Sequence, residues 1–163
     1  MVAATIGAGL VIALVVMARP AGGHGGVMPA ALRISAAADG AVAVTPADPR
    51  PLLASDSLRP GNRAAGTLRL RNQTGSRLNV GLRAEPSSTA LDGLARVRIS
   101  AGDRVLADTT LQELRQGTPA RLPLAPGASA RLRVVASIPA DVETGYEGAR
   151  VEVRLVPEDG AGR

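Results

Sequence analysis

From residue 32 onward, apolar and polar side chains alternate along the chain in short runs. Leu68 and Leu70 alternate with Arg69 and Arg71, and Leu78, Val80 and Leu82 alternate with Asn79, Gly81 and Arg83. Val97 and Ile99 are flanked by Arg96, Arg98 and Ser100. The same period returns at Leu132, Val134, Ala136 and Ile138, and again at Val151, Val153 and Leu155, each time interleaved mostly with arginine, serine or glutamate. In an extended strand successive side chains point to opposite faces, so a period of two marks a strand with one face in a core and the other in water. Turn residues separate the runs: Asp39-Gly40, the Pro-rich segment 46–62, Gln73 to Ser76, and two Pro-Gly pairs, Pro60-Gly61 and Pro126-Gly127. Proline presets the first turn angle and glycine accepts a positive φ, which returns the chain sharply into the next strand. Within this alternating region, residues 110–114 are the only segment expected to be helical.

The pattern predicts an all-β chain, an antiparallel two-layer β-sandwich of about seven to nine strands, jelly-roll or immunoglobulin-like. Its core is expected to hold Leu68, Leu70, Val80, Leu82, Val97, Ile99, Leu132, Val134, Val151 and Val153. Residues 2–18 are uncharged and strongly apolar, and Arg19-Pro20 with a glycine-rich run to Gly26 ends them. This N-terminal hydrophobic segment is read as an export helix, a cleaved signal peptide or a retained membrane anchor. It falls a little short of the roughly 20 residues of a spanning helix and exceeds the usual apolar region of a signal. Cleavage after Ala18 or after Gly23 suits the preference for small residues. The absent positive n-region points to a translation start upstream of Met1. The division expected is 1–23 signal or anchor, 24–36 linker, 37–157 sandwich and 158–163 disordered tail.

Composition narrows the core. Aromatic residues are 1% of the chain, with no Phe, no Trp and one tyrosine, Tyr146, so Leu, Val, Ile and Ala must fill the interior. All 19 basic residues are arginine, against 14 acidic ones, for a net charge of +5. The two signs are interspersed, and the high isoelectric point follows from the lack of titrating lysines. Arginines on the strands either form a cationic face for teichoic acid, polysaccharide or lipid headgroups, or discourage aggregation between sheet edges. Nucleic acid is not expected as a partner, because stacking platforms are missing. Without cysteine there are no disulfides.

No catalytic, cofactor-binding or metal-binding residue is assigned, no cofactor is expected, and the chain is not read as an enzyme. The single histidine, His24, lies in the glycine-rich segment beside the apolar stretch. No HExxH pair, Ser/His/Asp set or phosphate-cradling loop is present. Asp39, Asp92, Asp103, Asp108, Asp141 and Glu143 stand mostly at turns, where carboxylates serve local hydrogen bonds, and no calcium-loop spacing joins them. Asn72-Gln73-Thr74 fits the glycosylation acceptor pattern. Tyr146, just before the last strand, suits the tyrosine corner of a sandwich, where the hydroxyl bonds back to the loop.

Four motifs between residues 60 and 157 resemble the TasA/camelysin family of exported bacterial surface and biofilm-fibre proteins. Pro60-Gly61 leads through Gly66-Thr67-Leu68 to Asn72-Gln73-Thr74-Gly75. Thr110-Leu111-Gln112-Glu113-Leu114 is similar to the family's short Thr-Leu-x-x-Leu element. Leu124-Ala125-Pro126-Gly127 precedes a long strand, and Tyr146-Glu147-Gly148 precedes the last one, with Glu147 where the family tends to have Gln. The resemblance implies a jelly-roll-like sandwich and, in some members, assembly into extracellular matrix fibres. Members have also been described as metalloproteases; nothing of that activity carries over, since His24 is the only candidate zinc ligand. The resulting expectation is an exported structural cell-surface protein that self-associates or meets other surface proteins. The alternative is an envelope domain anchored through residues 2–18 that binds a protein or an anionic surface polymer. Residues 32–45, set apart by the Pro-rich loop, are expected either to pair with their own sheet or to add to the edge of a neighbouring copy.

Overall fold

The computed structural model of the chain describes residues 28–86 and 91–159. The expected export helix, its two cleavage points and His24 lie outside the described residues. Ten strands and one short helix are arranged as two packed five-stranded sheets. The strands are β1 (Ala30–Ala36), β2 (Val42–Thr45), β3 (Leu53–Leu58), β4 (Arg63–Asn72), β5 (Leu78–Pro86), β6 (Arg96–Ala101), β7 (Arg104–Thr110), β8 (Leu122–Leu124), β9 (Ser129–Ser137) and β10 (Arg150–Asp159), with α1 (Leu111–Leu114) between β7 and β8. The first sheet runs β3-β1-β10-β5-β8 and the second β2-β4-β9-β6-β7.

All ten residues expected in the core are buried, none more than 2% exposed. The alternation explains it: in β4 and β9 the register sets Leu68 opposite Leu132, so the apolar positions of neighbouring strands share one face. The apolar part of the interior is aliphatic apart from Tyr146, as the composition requires.

Three boundaries differ from the sequence reading. Residues 30–36, placed in the linker although Leu32-Arg33-Ile34-Ser35 alternates like a strand, form β1, an inner strand whose Ala30, Leu32, Ile34 and Ala36 are at most 1% exposed. Its alternation relies partly on alanine, which carries little apolar signal yet fits closely between packed sheets. The 46–62 loop contains β3, whose Ser55, Asp56 and Ser57 hide the period of two. An edge strand tolerates them because it pairs on one side only, here with β1. Glu158 and Asp159, expected in the tail, instead continue β10 opposite Gly81 and Val80. These additions bring the strands to ten.

The sandwich is also not antiparallel throughout. β1 and β10 run parallel, Leu32 beside Val151 and Ile34 beside Val153. Residues 32–45 thus pair within their own fold: β1 fills the place between β3 and β10, and β2 pairs with β4. Chain 46–52 passes so close to β4 that a Cβ on Gly66 would stand 2.1 Å from the Leu52 carbonyl oxygen. No side chain fits there, which is why a glycine interrupts a strand.

The helical turn expected at 110–114 is α1. Thr110 caps it, its hydroxyl accepting from the Glu113 N–H at 3.2 Å, while the Thr110 N–H donates to Glu113 Oε2 at 3.1 Å. This reciprocal pair satisfies two N–H groups that a helix start leaves open. The Thr109 hydroxyl, foremost, and then the Thr110 N–H hold the Glu113 carboxyl below its ordinary value of 4.5. A carboxyl depressed on folding stabilises fully above its unfolded value, and that contribution disappears as pH falls through the folded value. Thr110→Ala is expected to cost about 1 kcal/mol in urea denaturation at neutral pH. The gap between variant and parent should narrow as pH drops below 4.5.

Candidate functional site

The outward face of the first sheet is closed on itself electrostatically. Register places Arg33 beside Glu152 and Arg154 between Ser35 and Glu85. Segment 46–51 leans over these strands, with Arg154 Nε 2.9 Å from Asp48 Oδ2 and Arg33 Nη2 donating to the Pro49 carbonyl at 3.2 Å. Together they line an open cleft of about 660 Å³. Further along, Arg83 reaches Glu85 at 2.7 Å and Glu158 at 2.8 Å, and Arg121 approaches Glu158 at 3.8 Å. Exposed pairs of this kind contribute at most about 1 kcal/mol each. Their effect is to leave most of the charges on this face matched.

The carboxylates singled out in the sequence are scattered. Asp39 accepts from the Ala41 and Val42 N–H groups at 2.9 and 3.1 Å, a local turn role. Asp108 pairs with Arg96 and Arg98. Asp92 is buried and its Oδ2 is held by Arg115, while its Oδ1 has no partner among the described residues. Asp103, Asp141 and Glu143 are exposed. Among the described residues no three His, Cys, Asp or Glu side chains are grouped to hold a metal ion. Among them also, no helix is long and apolar enough to cross a membrane.

The acceptor triplet at Asn72 is a structural joint instead of a surface acceptor. Asn72 is fully buried, and its Nδ2 donates to the carbonyls of Ser76, Leu124 and Ala125 at 2.7, 3.0 and 3.1 Å. Its Oδ1 accepts from the Thr74 N–H and hydroxyl, both at 2.8 Å. The side chain thereby pins the β4–β5 turn to the end of β8, and both of its polar atoms are engaged. Asn72→Ala should cost about 2–3 kcal/mol in urea denaturation, since buried carbonyls lose their donor.

Tyr146 is buried at the corner before β10. The corner is tied by Glu147, whose Oε2 accepts from the Gly145 and Tyr146 N–H groups at 2.8 and 3.0 Å. Its own N–H first, then that of Gly145, keeps the carboxyl below the ordinary value. A carboxylate here is a stronger acceptor than a neutral side-chain amide would be.

The second sheet presents the contrast. Arg63, Arg69 and Arg71 on β4, Arg131 and Arg133 on β9, and Arg96 and Arg98 on β6 are all exposed on its outward side. Arg69 and Arg131 are directly opposite partners. Asp108 answers Arg96 and Arg98 at 3.5 and 3.3 Å, and Glu113 lies near Arg96 at the far end. Among the described residues, Arg63, Arg69, Arg71, Arg131 and Arg133 have no carboxylate within ion-pair distance. The sequence showed these arginines pointing outward, but only the strand order shows that they share one face. No protein-family model matches the chain, and no curated protein matches it significantly.

Proposed function

We propose that the chain is an exported structural protein of the bacterial cell surface, a presented sandwich and not a catalyst. The observation that carries this reading is the wiring of the two sheets. From β3 to β10 successive strands alternate between sheets except for the β6–β7 hairpin, and the orders β3-(β1)-β10-β5-β8 and β4-β9-β6-β7 follow from that path. With β1 inserted and β2 appended, this connectivity supports reading the sandwich as an eight-stranded jelly roll, the architecture that the TasA/camelysin resemblance implies. The resembling motifs fall at its joints: Pro60-Gly61 enters β4, Asn72 starts the β4–β5 turn, Thr110 caps α1, Pro126-Gly127 enters β9, and Tyr146-Glu147 makes the last corner. The apolar residues 2–18 supply the route of export.

Fibre assembly belongs to this proposal as what the resemblance adds. Of the four sheet edges, β2 with 4 residues and β8 with 3, Pro123 among them, are poor templates for strand addition, which leaves β3 and β7 as the edges long enough to take a strand. The second reading, an envelope domain anchored by residues 2–18, draws support from the unpaired arginine face. Fractionation of the native host tests both. Release, or recovery in high-molecular-weight surface material seen as filaments by electron microscopy, supports the structural protein. Recovery with membranes as a monomer favours the anchored domain, and recovery in the cytosol overturns both.

A further inference from the structure

We propose that the outward face of the second sheet is a docking surface for a linear polyol-phosphate polymer. The inference names a partner for the cell-surface protein proposed above and rests on that reading only for where the polymer is met. Like charges set directly opposite on neighbouring strands destabilise a sheet, and Arg69 stands opposite Arg131 with no carboxylate to relieve it. Protection of sheet edges does not account for this arrangement. The edges are β2 and β7, whereas β4 and β9 are inner strands. On β2, next to Arg69 and Arg71, the outward residues are Thr45 and Ala43, which carry no charge.

The face is shaped as well as charged. A depression of about 450 Å³ is lined by Arg131, Arg133, Thr67, Ser100 and Gly102, so two guanidiniums and two hydroxyls surround one space. Asp103, the neighbour of Gly102, forms no ion pair with either arginine. A second depression of about 350 Å³ lies farther along β9 beside Arg63, Arg96 and Arg98, where Asp108 offsets part of the charge. Outward positions on a strand recur about every 6.6 Å. A flexible polymer with an anion in each short repeat can meet one guanidinium after another, and the planar guanidinium offers phosphate two parallel N–H donors.

What the face lacks selects the occupant. Sugar rings and nucleobases are held in large part by stacking on aromatic side chains, and the chain has no Phe, no Trp and only the buried Tyr146. A bilayer surface calls for apolar side chains that insert, and the one exposed large apolar residue described on this sheet, Val105, sits on edge strand β7. An aliphatic polyol phosphate needs neither.

The test is titration of the full chain with purified poly(glycerol phosphate), and in parallel with hyaluronate, single-stranded DNA and phosphatidylglycerol vesicles. Binding should be strongest to poly(glycerol phosphate) and should weaken with salt. Replacing Arg69, Arg131 and Arg133 together by Gln should lower affinity about tenfold or more and reduce the logarithmic salt slope by roughly three counter-ions. Replacing Arg33, Arg83 and Arg154 of the first sheet by Gln should leave affinity within about twofold, because those cations are already engaged. The second-sheet variant should melt no lower than the parent, since it relieves the Arg69–Arg131 opposition. Equal losses from the two triple variants, no binding at physiological salt, or tighter binding to DNA, hyaluronate or vesicles would each overturn the proposal. None of these outcomes alters the fractionation result, which tests the surface location separately.

Discussion

Ile34→Asp is expected to abolish the native sandwich. Ile34 is fully buried in β1, with Leu53 of β3 on one side and Val153 of β10 on the other. The substitution removes a packed side chain, worth about 2–5 kcal/mol on truncation, and leaves an unpaired charge in its place at several kcal/mol more. Together these approach the roughly 5–15 kcal/mol that hold a whole domain folded. Far-UV circular dichroism should lose its β signal, and the cooperative urea transition should disappear. Ile34→Val, which keeps the shape, should cost only about 1 kcal/mol. A folded Ile34→Asp protein would mean that β1 is a dispensable arm, as the linker reading of 24–36 had it.

Leu132→Ala should be the largest single truncation that still leaves a folded protein. Leu132 is fully buried on β9, opposite Leu68 of β4 in the middle of the second sheet. The expected loss is about 2–5 kcal/mol from transfer and cavity together. A shift of the thermal midpoint by roughly 8–20 °C would correspond. A loss below 1 kcal/mol would show that the site collapses around the gap, which two hydrogen-bonded sheets are poorly able to do.

The sequence made legible what depends on neighbours along the chain. Leu68 and Leu70, or Val151 and Val153, declare their strands because arginine or glutamate separates them. The helical turn expected at 110–114 is likewise local, since the Thr110–Glu113 box that starts α1 closes within four residues. What stayed hidden depends on partners far away in sequence. The parallel pairing of β1 with β10 leaves no mark on either segment. Ser55, Asp56 and Ser57 look like loop until an edge position explains them. Asn72 reads as a surface triplet because its acceptors, the carbonyls of Leu124 and Ala125, lie more than fifty residues on. The arginine face follows the same rule: alternation points each side chain outward, and only register gathers Arg69, Arg131 and Arg133 on one surface.

The placement of β10 bears on when this molecule can fold. β10 lies inside the first sheet, between β1 and β5, and Ala31 pairs with Arg150 across nearly the full described chain. A nascent polypeptide that has emerged only as far as Pro139 has no centre for that sheet, so β1 and β5 wait with their apolar faces uncovered. Contacts of such long sequence separation place sandwiches among the slower-folding small domains, on millisecond to second scales. Synthesis and folding are thereby separated in time. On the proposed export route, that interval keeps the polypeptide threadable until β10 has crossed.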